Sequence, residues 1–262
     1  MRRSRGEHGS SSMPALAVLL LLGIVAVVGF LGNRKGDDEP PPVDLTVLAA
    51  SSTATTIATA PLDPEPYAAT KGIVVHPRAE SALYTSPDGD AFAKIGPKQF
   101  GPTWLPVVEQ TDGWVRVLLP SKPNRSTGWM RDDDLDRASS PYLIRVHTAS
   151  RTIELFENGR SLGSWKAGVG ARKTPTPAGR TFLLGSIVDH KRSASPVVLP
   201  LGAHSPTLDT FGGGPGTVAI HGWPRADVFG AAISAGCVRV PKTALAKLQQ
   251  VPLGTLVQID NK

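Results

Sequence analysis

The chain is short of sulfur. It has one cysteine and three methionines in 262 residues, so no internal disulfide can form and a thiolate-based zinc site lacks ligands. Histidine is scarce too, six in all. No two histidines stand four apart, the spacing that puts a metal pair on one helical face. The expectation is no metal and no cofactor. A recognisable nucleic-acid reader module is also missing, and no nucleic-acid partner is expected.

A long uncharged apolar run occurs at Pro14 to Gly32. Its length is about that of a helix crossing the roughly 30 Å hydrocarbon core. Arg2, Arg3 and Arg5 precede it, which favours an inside N-terminus and an exported remainder. Arg34 and Lys35 follow it and oppose that reading slightly. A cleaved signal peptide is the rival, but no small-x-small cleavage site follows directly. There is no lipobox, because the single cysteine is Cys237. We therefore read residues 1–13 as cytoplasmic and 14–32 as a single-pass membrane anchor.

Residues 33–70 read as a disordered linker. Asp37-Asp38-Glu39-Pro40-Pro41-Pro42 opens it and an Ala/Ser/Thr-rich stretch follows; such composition buries too little apolar surface to offset chain entropy. Residues 71–138 then show short strands broken by Gly and Pro. Ile73 to Val75, Ser81 to Tyr84, Thr103 to Val108, Trp114 to Leu118 and Gly128 to Met130 mark a small β-barrel or sandwich. Asp112-Gly113-Trp114-Val115-Arg116-Val117 followed by Gly128-Trp129 resembles a bacterial SH3-like domain. Its aromatic residues either fill a core or line a ligand groove.

Residues 139–262 are again mostly β. Tyr142 to Thr148 and Arg151 to Glu157 form a hairpin about Ala149-Ser150, and Asn158-Gly159 marks a second, tight one. Thr181 to Asp189, Val197 to Leu201, Thr217 to Ile220 and Thr255 to Asp260 read as further strands. A short helix is expected from Pro241 to Gln250, with Ala244, Leu245 and Leu248 on one face. The fold class is mainly β: an SH3-like barrel followed by a β-sandwich domain with one or two short helices.

Charge divides unevenly. Residues 36–138 carry 9 basic and 15 acidic side chains, while residues 139–262 carry 14 and 6. A basic C-terminal half either suits an anionic partner such as a carboxylate-bearing wall polymer or simply keeps the surface soluble.

Cys237 sits in Ser234-Ala235-Gly236-Cys237-Val238-Arg239, sixteen residues after His221 of Ala219-Ile220-His221-Gly222. Taken singly, a lone cysteine is most often a small core hydrophobe and a lone histidine a satisfied structural residue. Together they offer a nucleophile and a base. An imidazole can take the thiol proton and later return it to a leaving amine. Small residues before Cys237 leave room for a substrate chain and for backbone N–H groups facing an oxyanion. Arg239 lies two residues on, on the cysteine's face of a strand. It either binds a substrate carboxylate or supports the thiolate. Ser234 either orients the site or makes the turn.

These residues resemble the signature of the L,D-transpeptidase catalytic domain (the YkuD family): His-Gly, a gap, then Ser-x-Gly-Cys-x-Arg. An upstream segment, Gly170 with Thr176-Pro177 and Gly179, is similar to the family's Gly-x(n)-Thr-Pro-x-Gly-x-Phe run. The resemblance spans about residues 140–260. It implies that Cys237 attacks the bond before the terminal D-Ala of a peptidoglycan stem tetrapeptide, forming a thioester that a second stem's amine resolves into a 3→3 cross-link. His221 would be base and acid, oriented by the Gly222 carbonyl. Arg239, Ser234 and Gly236 would contact substrate, and a carbapenem would acylate Cys237. Two positions depart from the pattern: Ala235 stands where the family often has His or Gly, and Val240 replaces a commoner Met or Leu.

Two other readings compete. A sortase-like transpeptidase also uses His, Cys and Arg in that chain order, but usually spaces them much further apart. A non-catalytic wall-binding protein would carry a silent site.

Overall fold

In the computed structural model, residues 43–189 and 193–262 are described. The expected anchor at 14–32 and His190 lie outside them. Among the described residues, no helix is long and apolar enough to cross a membrane.

The chain first builds a seven-stranded antiparallel sheet from β1 (Ile73–Pro77), β2 (Ser81–Tyr84), β3 (Ala91–Ile95), β4 (Leu105–Thr111), β5 (Trp114–Leu118), β6 (Thr127–Arg131) and β7 (Leu135–Ser139), in the order β3-β2-β6-β5-β4-β1-β7. Gly113 closes the β4–β5 hairpin at φ +70°, a backbone angle that few residues other than glycine adopt cheaply. Trp114 and Trp129 are both buried, so these aromatics fill core.

Two further sheets follow. The first joins β8 (Tyr142–His147), β9 (Thr152–Glu157), β10 (Arg160–Lys166), β12 (Gly179–Phe182) and β20 (Leu256–Asp260) in the order β10-β9-β8-β20-β12. Asn158 and Gly159 both take positive φ, as the tight β9–β10 turn requires. The second sheet joins β13 (Ile187–Val188), β14 (Val197–His204), β17 (Thr217–Gly222) and β19 (Val238–Val240) in the order β13-β14-β17-β19. Two small ladders complete it: β11 (Val169–Gly170) with β18 (Ala232–Ser234), and β15 (Thr210–Phe211) with β16 (Gly214–Pro215). The helix α1 (Lys242–Leu248) turns its Ala244, Leu245 and Leu248 into the core shared by both sheets. The expected strand from Thr181 to Asp189 is two strands, β12 and β13, in different sheets. The fold is mainly β.

The linker expectation fails for residues 43–70. This stretch is ordered and bound to both parts of the fold. Ser51 N–H donates to Lys94 O at 2.7 Å, Ile57 N–H to Lys122 O at 2.8 Å and Asp63 N–H to Arg125 O at 2.8 Å. Ile57 and Ala60 join the core behind the seven-stranded sheet. Composition misjudged it because small and hydroxylated side chains bury little surface of their own. Their partners, Lys94 on β3 and the β5–β6 connection at Lys122 and Arg125, supply the hydrogen bonds. That same core also takes in Phe182, Leu184 and Leu256.

Candidate active site

The site forms where β17 and β19 run side by side. They are parallel, with Ile220 opposite Val238, His221 opposite Arg239 and Gly222 opposite Val240. Ile220, Val238 and Val240 are fully buried. Alternation along the strands therefore turns His221 and Arg239 to the other face, together with Cys237 two residues before Arg239. Neighbouring strands lie about 4.8 Å apart and rise about 3.3 Å per residue, so diagonal neighbours on one face start about 8 Å apart at Cα.

His221 is held through its own neighbour. Its Nδ1 lies 2.8 Å from the Gly222 carbonyl oxygen. A carbonyl can only accept, so Nδ1 carries a proton, and in the neutral ring the lone pair is on Nε2. Gly222 is itself fixed: its N–H donates to Ser195 Oγ at 2.9 Å, and Ser195 Oγ donates to Val197 O at 2.9 Å. A Cβ on Gly222 would stand 2.1 Å from the Ala194 carbonyl oxygen. The glycine is required there by the close pass of residues 194–195.

Cys237 is half-buried and unpaired by disulfide. Burial pushes its thiol up from the usual range. A hydrogen bond with the Ala219 backbone and the charge on Arg239 pull the other way and do not prevail. The resting group is a thiol, which needs a base to become a nucleophile.

The turn that presents Cys237 is built by Ser234 and Gly236. Ser234 Oγ donates to Cys237 O at 2.6 Å and accepts from Gly236 N–H at 3.1 Å. Gly236 has φ +114°, a conformation that L side chains rarely adopt. Ser234 is 2% exposed and Gly236 is buried as well. Both shape the turn, and the Gly236 N–H donates to Ser234 Oγ.

The upstream Thr-Pro segment braces the same turn. Thr176 Oγ1 donates to Gly236 O and accepts from Gly170 N–H, both at 2.9 Å, and Thr174 Oγ1 donates to Ser234 O at 2.8 Å. Two motifs some sixty residues apart are thus one hydrogen-bonded unit.

Arg239 lies with its guanidinium carbon 3.7 Å from the centre of the Trp223 ring. Its buried Nε has no hydrogen-bond partner. Burial, chiefly, and then repulsion from Arg225 push its guanidinium below the ordinary value, against the opposing influence of Cys237.

The L,D-transpeptidase catalytic domain model matches residues 141–259. YkuD of Bacillus subtilis, which carries an L,D-transpeptidase name, is 30% identical over 151 residues, covering 55% of this chain and 85% of that protein. The chain belongs to the L,D-transpeptidase family. YkuD of Bacillus licheniformis is 32% identical over 120 residues, covering 45% of this chain and 66% of its own. Among solved structures, an L,D-transpeptidase from Mycobacterium smegmatis aligns over 59% of this chain and 92% of its own, at 14% identity and a TM-score of 0.39.

Reading this L,D-transpeptidase from sequence missed Ser195 and Trp223. Trp223 follows the His-Gly pair directly, and its spacing of two from His221 was a usable signal. Ser195 had none, since its role depends on β14 lying beside β17. His204 ends β14, opposite Thr217 of β17, and its ring is directed to the N-terminal stretch. It is buried, with Nε2 2.7 Å from Thr53 O.

Proposed function

We propose that the chain is an extracytoplasmic peptidoglycan L,D-transpeptidase that forms 3→3 cross-links through a thioester on Cys237. The observation that carries this reading is the β17–β19 register, which puts His221 and Arg239 opposite each other on the face shared with Cys237.

In the first half-reaction His221 Nε2 takes the thiol proton as Cys237 Sγ attacks the carbonyl before the terminal D-Ala. The carbon–sulfur bond forms, the amide carbon–nitrogen bond breaks, and the proton passes to the departing D-Ala amine. In the second half the side-chain amine of another stem attacks the thioester: the new carbon–nitrogen bond forms and the carbon–sulfur bond breaks. His221 accepts that amine's proton and returns one to the sulfur. The oxyanion formed in each half needs N–H donors. Gly236 N–H is taken, so we assign that work to the Cys237 N–H of the same turn. Arg239 binds a donor carboxylate, with its orphaned Nε as one of the available donors. The same attack on a β-lactam carbonyl would leave a carbapenem as an acyl adduct on Cys237.

The apolar run at 14–32 would hold the enzyme at the membrane, with the sheet of β1–β7, read from sequence as SH3-like, on the wall side with the catalytic part.

The test is one incubation of the full, freshly reduced chain with a stem tetrapeptide. Release of D-Ala with a matching mass adduct on Cys237 is the expected result. Absence of an adduct with both the tetrapeptide and a carbapenem would falsify the proposal.

A further inference from the structure

Trp223 touches both polar groups of the site. Arg239 stacks on one face of its ring at 3.7 Å. The His221 ring lies 5.9 Å from it, centre to centre, tilted by 58°. A guanidinium stacked on an aromatic keeps its N–H edges turned outward in the plane, the geometry that receives a carboxylate through two parallel bonds. The Nε edge of Arg239 is buried and unpartnered. A buried N–H with no acceptor is costly unless a ligand completes it. Arg225 adds a second positive charge close enough to perturb Arg239, and its own partner Asp227 is a solvent-exposed surface pair at 3.1 Å, too weak to neutralise the region.

We propose that Trp223 is a positioning residue that locks the Arg239 guanidinium by face stacking, so that its edge reads a carboxylate beside Cys237. It steadies the His221 ring by the same contact. The inference rests on the transpeptidase reading for the identity of that carboxylate, the terminal carboxyl of the donor stem. Its core, that the stack makes Arg239 an anion reader next to the thiol, stands without that reading.

The test compares Cys237 alkylation by iodoacetate and by iodoacetamide in the full chain. The two reagents differ by one carboxylate. In the unchanged protein the iodoacetate-to-iodoacetamide rate ratio should exceed that of a free thiol in the same buffer. Trp223→Leu keeps apolar bulk and removes the π face. It should lower the ratio about fivefold. Trp223→Phe keeps a π face and should restore most of it. A role in packing alone would move both reagents alike and leave the ratio where it was. Thermal melting shows which variants are folded, and Trp223→Met serves as the second variant without a π face if the leucine form is not.

A parallel measurement uses tetrapeptide donors with a free or an amidated C-terminus. The unchanged protein should favour the free acid in kcat/KM, Trp223→Leu should lose that preference, and Trp223→Phe should keep it. A wild-type alkylation ratio no higher than a free thiol's, or equal ratios in the Leu and Phe variants, overturns the inference. No turnover of any donor, with the alkylation pattern intact, instead removes the transpeptidase reading and leaves the Trp223–Arg239 role standing.

Discussion

The Asp63 carboxylate receives two N–H groups of Arg180, at 2.6 and 2.8 Å, and neither side chain meets solvent. Asp63 belongs to the stretch before the seven-stranded sheet, while Arg180 sits on β12 beside β20. Arg180 also donates to the Ala68 carbonyl at 3.2 Å. One buried pair therefore ties the N-terminal stretch to the catalytic half.

Asp63→Ala should destabilise the protein by about 3–5 kcal/mol, because it strands a buried guanidinium. Urea unfolding of the full chain measures this. The paired replacement Asp63→Leu with Arg180→Met should recover most of the loss, since an apolar pair leaves no charge uncompensated. A single-variant cost under about 1 kcal/mol would show that Arg180 finds water instead. A truncated form beginning at residue 71 should fold poorly for the same reason.

His147 gives the protein a pH-dependent clamp. Its Nδ1 lies 2.8 Å from Asp260 and its Nε2 3.1 Å from Glu154, so β8, β20 and β9 are tied through one ring. Both partners are acceptors, and both bonds form fully only when the ring carries two protons. Burial favours the neutral ring, but the hydrogen bonds to the two carboxylates outweigh it, and the net shift is upward. Stability from this group is therefore complete below the unfolded value of about 6.5 and is lost as pH rises through the folded one. Unfolding free energy should decline on that side, and His147→Gln should flatten the decline. A slope that survives in the variant would place its origin in another residue.

Cys237 should behave as a thiol whose partial burial disfavours the thiolate. Its upward shift means that iodoacetamide alkylation climbs with pH to a midpoint above that of a free cysteine. Removing the nearby charge with Arg239→Ala should move the midpoint further up. Cys237→Ser should abolish turnover while melting stays close to the parent, because the change in volume is small and the alcohol is a far weaker nucleophile. Cross-linking retained by the serine form would show that another residue attacks the stem.

Much of the site was legible because its parts lie close in sequence. His221, Gly222, Cys237 and Arg239 fall within two short segments, and two-residue alternation alone puts Cys237 and Arg239 on one face. The hairpin at Asn158-Gly159 and the helix face of Ala244, Leu245 and Leu248 were readable for the same reason: their signals are local. What escaped depends on partners distant in the chain. For Ser234, sequence left a role in orienting the site and a role in the turn side by side, and its hydroxyl spans its own turn. The stretch 43–70 looked structureless because its order comes from Lys94, Lys122, Arg125 and Arg180, none of them nearby in sequence. The brace from Thr174 and Thr176 to the cysteine turn needs β11 and β18 to pair in parallel, which periodicity does not encode.

Gly222→Ala tests whether the His221 support is as tight as it looks. The added Cβ would meet the Ala194 oxygen at 2.1 Å, a contact with backbone that no rotamer can relieve. Either residues 194–195 withdraw or the end of β17 shifts. In both cases the Ser195 bond to Gly222 N–H and the Gly222 carbonyl's hold on His221 Nδ1 change together. A displacement of about 1 Å in a reacting group costs on the order of a hundredfold in rate, so kcat should fall by about that factor. Ser195→Ala is the milder companion. It leaves one buried N–H unpaired, worth about 1–3 kcal/mol of stability, but adds no clash, so it should lower the melting temperature more than it lowers kcat. Steady-state kinetics beside thermal melts separate the two. Full activity in Gly222→Ala would mean that the imidazole does not depend on its neighbour's carbonyl for its orientation.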